Sequence, residues 1–582
     1  MASSAHVVSG EISLGTQHHF HMETHVCLCI PREDEMEVFA ATQCTDNTQT
    51  AIAQVLDIPQ KSVHVTCKRC GGAYGAKAIR EGVNSTACAL AAHVMKRPVR
   101  LRMTLKTNMG MVGKRFPYVA MYKVGVTEEG ILNAVDMKFY TACGQATTEI
   151  MLQEMPMFID NAYHCKNWKF NGVPCKTNTA TNAHARAPGT LPAIFVTEAM
   201  MNHVAKVLKK SPENVREINF YKMGQTTYYK QPLPYCSISK IWQDLKESSE
   251  FNQRKAAIAK FNKASRWRKR GISLVPLRFG VNWTGSRYTA YVAIFQKDGT
   301  VSITHGGVEM GQGINTKVCQ VAAYSLGHGL TVDQISIRPA TSFMNPNGTG
   351  TFASITSELC CQAVLNCCTN LKERIDPVAK DMRDASWNQI IRNCFSLGVD
   401  LSEKCMVYPQ NNNVLNYNNY GATCTEAEID VLTGETEILR TDILFDCGRS
   451  INPEIDVGQV EGAFIMGLGY WLTEQAIYDP ETGLQLNTGT WDYHPPSSKD
   501  IPTDIRVSLL KDAPNPLGVL RSKAVGEPPQ CMSCSCLFAV QDAIYHAREE
   551  IGKDEEYFAL DSPATVEATQ LKCLVDASRF FF

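Results

Sequence analysis

The sequence predicts a protein of mixed helices and strands, of the α+β or the α/β class, because segments with the two periodicities alternate along the chain. The clearest unit is residues 301–327. Val301 and Ile303 alternate with polar residues, as in a strand, and a glycine-rich turn follows at 305–313. Apolar residues then recur at helical spacing, so we expect a strand, a turn and a helix in that order. Such a turn leaves backbone N–H groups free at the helix start, where they suit a phosphate or another anion.

Two further glycine-containing segments open predicted helices. Residues 347–357 lead into an apolar helix, and the hydroxyl groups of Ser354, Thr356 and Ser357 either cap that helix or bind an anion. In residues 458–469, glycines four positions apart on one helix favour close approach of another helix or of a flat ligand. Each signal is weak alone, since tight packing explains many glycine turns.

Composition and charge are those of an ordinary globular protein. The chain has 582 residues, of which 44% are hydrophobic and 20% are charged, and its formal net charge is −1. The near-neutral balance gives no indication of a nucleic-acid partner, and no apolar run approaches the roughly 18 residues that a membrane span needs. The first residues lack the basic and apolar regions of a signal peptide, so we expect a cytoplasmic protein.

The length indicates roughly two to four domains. The best candidate for a boundary is the charged, amphipathic stretch at 239–270, which follows a proline-containing turn. We therefore predict a first domain at 1–237, a helical connection at 238–270 and a second domain at 271–582.

Cysteine is abundant, with 23 residues, and in a chain without a predicted signal peptide we expect buried thiols rather than disulfides. Cys67 and Cys70 stand at Cys-x-x-Cys spacing and have an alternative interpretation as half of a zinc site or as a redox dithiol. No second pair lies at zinc-finger spacing from them. A zinc or redox-dithiol protein therefore stays open as one class of function.

The most informative segment is 521–529, in which Glu527 stands between Gly526 and Pro528. Glycine permits a tight turn, while the prolines fix their own φ and push the residue before each of them away from helix. We expect the carboxylate to be presented on a stiff loop, where it can act as a general base if a pocket desolvates it and raises its pKa. The local sequence is also typical of a solvated turn residue, and only the other motifs decide between the two.

Seven motifs in one order resemble those of the molybdenum hydroxylases, the xanthine dehydrogenase and aldehyde oxidase family. They include the glycine-rich run before Lys77, the arginine motif around Arg186 and the glutamate motif around Glu527. The matching stretches, which span nearly the whole chain, are 10–17 with the histidine-rich run after it, 68–77, 184–189, 305–313, 456–464, 521–529 and 560–565.

The resemblance implies an α+β fold with two elongated mixed α/β domains and a molybdopterin cofactor between them. In this family the metal is held by dithiolene sulfurs of the pterin, so no direct ligation by side chains is expected. Four residues are implied in the molybdenum environment: Gln17, Tyr74, Arg186 and Ala353. The full implied cofactor-binding set is Gln17, Tyr74, Gly75, Arg186, Gln312, Ala353, Ser354, Thr356 and Gln459. Glu527 takes the place of the family's catalytic glutamate, the base that activates the oxygen supplied by water.

The implied substrate pocket differs from that of the xanthine-oxidising relatives. Where they carry a glutamate after the lysine of the glycine-rich motif this chain has Ala78, and where they carry an arginine it has Glu154. Pro188 replaces an aromatic residue, while Trp283, with Thr284 beside it, keeps the stacking partner. Loss of both purine-binding groups favours aldehydes or N-heterocycles over xanthine. A purine hydroxylase like xanthine dehydrogenase is the alternative.

Full-length animal relatives carry iron–sulfur and flavin (FAD) domains before this region, and we expect those domains to be absent here. No plant-type iron–sulfur cysteine run is present. We therefore expect a homodimer or partner iron–sulfur and flavin domains. The rival hypothesis is a truncated, cofactor-free product that acts only as a binding or assembly partner, since missing strands would leave sheet edges unpaired.

Overall fold

The structure is a computed structural model that describes residues 1, 3–282, 285–382, 384–408 and 417–575. The strands are β1 His6–Leu14, β2 Val26–Pro31, β3 Met36–Ala40, β4 Val63–Cys67, β5 Val99–Arg102, β6 Tyr118–Val126, β7 Leu132–Gly144, β8 Trp168–Lys176, β9 Arg268–Val281, β10 Tyr288–Ile294, β11 Val301–His305, β12 Ile335–Ile337, β13 Ala340–Thr341, β14 Ser402–Val407, β15 Tyr417–Asp430, β16 Thr436–Phe445 and β17 Asp504–Leu509.

Helices of very different length connect and cover these strands. They are α1 Thr45–Leu56, α2 Glu81–Met95, α3 Leu105–Met111, α4 Thr190–Val207, α5 Pro212–Ile218, α6 Ile238–Ser248, α7 Phe251–Ala264, α8 Ile314–Leu326, α9 Thr356–Lys380, α10 Trp387–Ser396, α11 Pro453–Leu472, α12 Pro528–Met532, α13 Ser535–Glu549 and α14 Val566–Lys572. Among the described residues, none of these helices is long and apolar enough to cross a membrane.

The strands form four sheets, with the orders β1-β6-β7-β8, β13-β4-β3-β2-β5, β12-β11-β10-β14 and β17-β16-β15-β9. Each sheet contains one parallel pair beside antiparallel pairs; the parallel pairs are β7–β8, β3–β4, β11–β12 and β16–β17. Mixed sheets with helices packed against them confirm the predicted α+β class.

Two of the predicted local units can be compared directly with the structure. The strand, turn and helix of 301–327 are present as β11, the 306–313 turn and α8. The turn has positive φ at Gly311 (104°) and Gly313 (76°), values that side chains rarely adopt. The helical part of the predicted connection is α6 and α7, and strand β9 begins at Arg268, before the predicted connection ends.

The main core joins elements from both sides of that connection. Phe195 of α4 packs on Trp471 of α11 with ring centroids 4.6 Å apart, and on Phe538 of α13 at 5.5 Å. In the second sheet, the short strand β13 pairs with β4, placing Ala340 opposite Cys67. These contacts bring the 68–77, 184–189 and 521–529 motifs toward one region of the molecule.

Candidate active site

Glu527 is the residue immediately before α12. Its φ of −101° and ψ of −36° are helical, and Pro528 fills the first position of the helix. Our prediction that the prolines hold Glu527 out of helical geometry is wrong. A proline at the first helical position needs no N–H donor there, so it starts the helix rather than preventing it. The carboxyl group is fixed by a helix start, not by an extended loop.

The Glu527 carboxylate lies against the segment that carries Arg186. The Ala187 backbone N–H donates to Glu527 Oε1 at 3.0 Å, and Arg186 Nε donates to the Gly526 carbonyl oxygen at 2.6 Å. Burial raises the pKa of Glu527, although the Ala187 N–H group, the Arg186 charge and the Ser354 hydroxyl oppose that rise. The side chain is thus a desolvated carboxyl oriented by a backbone donor.

Ser354 hydrogen-bonds the same carboxyl group. A methyl group at position 526 would come within 2.9 Å of Ser354 Oγ, so the close approach of these two segments requires Gly526. Ala353 and Ser354 both have positive φ, of 57° and 59°. Non-glycine residues in this conformation are uncommon and tend to cluster at functional sites.

The glycine-rich motif of the first half contributes backbone rather than side chains. Tyr74 has a φ of 54° and its carbonyl oxygen accepts from the Arg186 N–H at 3.0 Å. Gly75 has a φ of 106°, and a β-carbon there would overlap the carbonyl oxygen of His184. The structure therefore brings Tyr74, Gly75, Arg186 and Glu527 together through main-chain contacts.

Gln459 and Gln312 complete this side of the site. Arg186 Nη2 donates to Gln459 Oε1 at 3.2 Å, and Gln459 Nε2 makes only a long 3.5 Å contact, with the Gly311 carbonyl. Gln312 is part-buried and folds back on its own turn, donating to the Val308 carbonyl at 2.9 Å. Both amides stand beside Gly311, where an added β-carbon would meet nothing within 4 Å.

Gln17 is deeper than the other predicted residues. Its Nε2 donates to Glu474 Oε1 at 2.8 Å and its Oε1 accepts from Arg115 Nε at 3.0 Å. With the Gln530 amide oriented to satisfy both neighbours, Gln530 accepts from Arg115 Nη2 at 3.1 Å and donates to the Arg186 carbonyl at 3.0 Å. Gln17 is therefore linked to the Arg186 segment through Arg115 and Gln530.

Thr356 points into the protein interior. Its hydroxyl lies 2.9 Å from the Tyr288 hydroxyl and accepts from the Phe352 N–H at 3.2 Å. No side chain caps α9, whose N-cap position is Ile355. The capping alternative for Ser354, Thr356 and Ser357 is wrong, because Ser354 instead faces Glu527.

At the turn before α8, three backbone N–H groups are already bound by a side chain of the same turn. Glu309 Oε1 accepts from the Gly311 and Gly313 N–H groups at 2.9 and 3.0 Å, and Glu309 Oε2 accepts from the Asn315 N–H at 3.1 Å. Our prediction of an anion site at this helix start is wrong, since the chain supplies its own carboxylate. Sequence reasoning missed Glu309, which stands two residues before Gly311, the first glycine whose N–H it accepts.

The glycines of α11, expected to allow close approach of another helix or of a flat ligand, do not all have the same surroundings. A β-carbon at Gly458 or Gly462 would meet nothing within 4 Å, whereas one at Gly467 would collide with Ser533 Oγ. The close helix approach therefore occurs at Gly467, against the chain that follows α12. Gly458 and Gly462 leave the surface beside Gln459 open.

Gln43 is a second residue that sequence reasoning missed. Its Oε1 accepts from the Gly75 N–H at 3.0 Å and its Nε2 donates to the Thr351 carbonyl at 2.7 Å. One amide thus joins the glycine-rich turn of the first half to the 351–354 segment of the second. Its separation of 308 residues from Thr351 gives no local signal.

The predicted substrate-pocket residues are only partly described. Ala78 is buried, Pro188 is half-buried and Glu154 reaches solvent. Desolvation raises the pKa of Glu154, and the nearby Glu527 carboxylate raises it further, so the two acids lie within electrostatic reach. Trp283 and Thr284 lie outside the described residues.

The residues present fit a flat, polar heterocycle. Gly311, Gly458 and Gly462 leave open space beside two amide side chains, Gln312 and Gln459. Amide groups and backbone N–H and C=O groups supply both donors and acceptors, as a pterin ring requires. Gln312 and Gln459, with the backbones of Tyr74–Gly75 and Ala353, would hold such a group next to Glu527.

Cys67 and Cys70 are both buried, with their sulfur atoms 3.7 Å apart. They pack with apolar residues, including Ala73 and Val308. Among the described residues, no third metal-binding side chain stands close enough to this pair to complete a metal-ion group.

Comparison with known proteins identifies the kind of site. Residues 1–220 and 244–502 each match a family described as a molybdopterin cofactor-binding domain. The chain belongs to the molybdenum hydroxylase family. The resemblance noted in the sequence is thereby confirmed, and so is molybdopterin as the cofactor of these domains.

Relatives from within the molybdenum hydroxylase family match nearly the whole chain. The xanthine dehydrogenase/oxidase of Gallus gallus is 37% identical over 98% of this chain, and the xanthine dehydrogenase of Dictyostelium discoideum is 36% identical over 98%. In both, the match covers 43% of the relative's own length. The chain therefore spans less than half of the length of these curated relatives.

Solved structures share the architecture. Quinoline 2-oxidoreductase from Pseudomonas putida 86 has a TM-score of 0.88 at 21% identity, over 98% of this chain and 77% of that one. The aldehyde oxidoreductase from Desulfovibrio gigas has a TM-score of 0.86 at 20% identity, over 99% of this chain and 62% of that one. At such low identity these matches show the shared fold.

Proposed function

We propose that this chain is the catalytic portion of a molybdenum hydroxylase that oxidises aldehydes or N-heterocycles with water as the source of oxygen. The observation that carries the proposal is the Glu527 carboxyl, desolvated and held by the Ala187 N–H at 3.0 Å, while Arg186 joins its segment to the Gln459 amide at 3.2 Å. When bound, molybdopterin supplies a Lewis acid and an acceptor for two electrons. We place the reaction in the cytoplasm, as the sequence predicts.

The role of Glu527 follows from its surroundings. A general base works best when its pKa lies near the operating pH, and burial moves that of Glu527 upward from its ordinary value. The Ala187 N–H and the Ser354 hydroxyl both donate to the carboxylate, and so they orient the group that would take the proton. Arg186, bonded to the Gly526 carbonyl, keeps the whole segment in position.

The choice of substrate class rests on Ala78 and Glu154. Neither residue can reproduce the hydrogen bonds expected of the glutamate and arginine of purine-oxidising relatives, and Ala78 leaves a small apolar surface. A site that lacks the groups to pair with a purine loses the hydrogen bonds that would select it. The second candidate is a purine hydroxylase, favoured by the 37% identity to xanthine dehydrogenases.

Electrons removed from the substrate need a route to an acceptor. We propose that iron–sulfur and flavin domains, of a longer chain or of a partner subunit, provide it, and that the enzyme is a homodimer. The relatives' lengths support this, since the match covers only 43% of them. Co-purification of iron and flavin with the chain from its source cells tests the proposal.

Replacement of Glu527 by glutamine tests the proposed base. The amide keeps the shape but cannot accept a proton, so we expect dye-coupled oxidation of benzaldehyde or retinal to fall by about a thousand-fold or more. Molybdenum content, measured by mass spectrometry, should stay near that of the wild type. Glu454→Gln, a surface change on α11, is the matched control.

Three results would count against the proposal. Turnover of Glu527→Gln near the wild-type rate rejects the role of the base. Oxidation of xanthine but not of aldehydes favours the purine hydroxylase. A folded chain that takes up no molybdopterin when co-expressed with the cofactor pathway supports the rival binding or assembly role.

A further inference from the structure

Three buried cysteines meet in a part of the molecule that the proposed reaction does not use. Cys27 and Cys29 lie two residues apart on β2, so their side chains share one face of the strand. Helix α2 covers that face and contributes Cys88. The Cys27 and Cys29 sulfur atoms are 3.5 Å apart, and all three sulfur atoms lie within 4.8 Å of one another.

These spacings match those that a metal ion imposes on three thiolates. With a metal–sulfur bond of about 2.3 Å, a trigonal site separates its sulfur atoms by roughly 4.0 Å. The 3.5 Å separation of Cys27 and Cys29 and the 4.8 Å upper limit for all three pairs are compatible with this value.

We propose that Cys27, Cys29 and Cys88 form a three-thiolate site for a thiophilic d¹⁰ cation, Zn²⁺ or Cu⁺. Thiolate ligands select these ions over the hard cations. Every cysteine in the described part of the chain is unpaired, so the three thiols are available. On binding, each thiol loses its proton to solvent and each sulfur donates an electron pair to the metal, without oxidation or reduction.

The three thiols are held in contact with one another: Cys27 Sγ lies 3.5 Å from Cys29 Sγ, and Cys88 Sγ donates to the Cys27 carbonyl oxygen at 3.5 Å. The rest of the pocket is apolar, formed by residues such as Val38, Ile52 and Ala92. An uncompensated negative charge there is costly, and a bound cation offsets it.

A buried carboxyl group lies on the same helix as Cys88. Glu81 is fully buried seven residues before Cys88, and its Oε2 has no hydrogen-bond partner, while Oε1 accepts from Asn84 and Ser85 at 3.1 and 3.0 Å. Burial raises the pKa of Glu81 to about 8.

The site would link helix α2, which follows the glycine-rich motif, to strand β2. Helix α2 begins at Glu81, only three residues after Ala78 and close behind the Tyr74–Lys77 turn. A metal that bridges α2 and β2 ties this turn to the sheet. Its role is structural, and it adds stability by favouring the folded state.

Metal titration of the purified, reduced full chain tests the proposal. We expect one equivalent of Zn²⁺, or of Cu⁺ supplied from a competing chelator, to bind and to raise the melting temperature. Co²⁺ in place of Zn²⁺ should show the thiolate-to-metal charge-transfer absorption of a cysteine site. Cys88→Ala and Cys29→Ala should lose this binding and the absorption.

The matched control is Cys67→Ala, in the second cysteine pair of the same sheet, which should bind as the wild type does. Absence of stoichiometric binding in the wild type overturns the proposal, whether or not the variants fold. So does binding that survives in Cys88→Ala or is lost equally in Cys67→Ala. Zn²⁺ and Cu⁺ binding each support it and identify the ion.

Discussion

At the scale of single residues, the chemistry depends on how the chain surrounds one carboxyl group. The motif around Glu527 identifies the residue but not its environment: burial raises its pKa, while Ala187, Arg186 and Ser354 each stabilise its charged form. The pKa of Glu527 therefore depends on these neighbouring groups as well as on burial. Two predictions follow from particular contacts.

Ser354→Ala should shift the pH dependence of turnover. The hydroxyl stabilises the Glu527 carboxylate, so its removal raises the folded-state pKa of Glu527 further. Because the base must be deprotonated, the acidic limb of kcat/KM should move to higher pH, with little change at alkaline pH. Rate profiles of the variant and of Ser357→Ala, the control on the same segment, measure the shift. A shift to lower pH, or an equal shift in both, contradicts the prediction.

Ala78→Glu combined with Glu154→Arg should move specificity toward purines. The double change restores both groups expected in purine-oxidising relatives, and each good hydrogen bond to a substrate is worth about 1–3 kcal/mol of discrimination. We expect the ratio of kcat/KM for xanthine to that for benzaldehyde to rise by at least roughly tenfold. The single change Ala78→Arg, with Glu154 kept, gives the same net charge with the two groups exchanged and controls for charge alone. An unchanged ratio contradicts the assignment of these positions.

At the scale of elements, a buried ion pair joins two neighbouring helices, α4 and α5. Arg216 of α5 donates to Glu198 of α4 at 2.7 Å, and both side chains are almost fully buried. Tyr163 also donates to Glu198, at 2.7 Å. The geometry sets the angle between α4 and α5, which helical periodicity alone leaves open.

Arg216→Ala should destabilise the fold strongly. It leaves the buried Glu198 carboxylate without its cation, which typically costs about 3–5 kcal/mol. The free energy of unfolding from urea titration measures the loss. Lys169→Ala, which breaks the exposed 2.9 Å pair with Asp136, is the control and should cost about 1 kcal/mol or less. Equal losses in the two variants would show that burial does not matter here.

At the scale of the whole molecule, the two predicted domains share structure. Strand β13 from the second half completes the sheet that contains β4, and Gln43 links the Gly75 turn to Thr351. The main core likewise packs Phe195 on Trp471. Each half therefore covers apolar surface and pairs a strand edge of the other half.

Fragments 1–237 and 271–582 should consequently fold poorly when expressed alone. Each exposes the apolar surface that the other covers, and exposed apolar surface and unpaired strand edges favour aggregation. We expect soluble, monodisperse protein only when both are co-expressed, as judged by size-exclusion chromatography and circular dichroism. A stable, monomeric 1–237 fragment on its own would show that the shared sheet and core are dispensable.

The sequence alone predicted what depends on local pattern. Periodicity located β11 and α8, the charged stretch located α6 and α7, and motif order led to the molybdopterin-binding family. Glu527 and Arg186 were named from motifs, and the structure brings them together. These successes concern features that a few neighbouring residues specify.

Only the tertiary structure decided which groups are desolvated and which partners they meet. The raised pKa of Glu527, the carboxylate of Glu309 at the α8 start and the Gln43 bridge all arise from contacts that the linear chain does not display. The same is true of the thiols of Cys27 and Cys88, which are 61 residues apart. Burial and long-range hydrogen bonding set the electrostatic energy of each group, and both are properties of the folded chain.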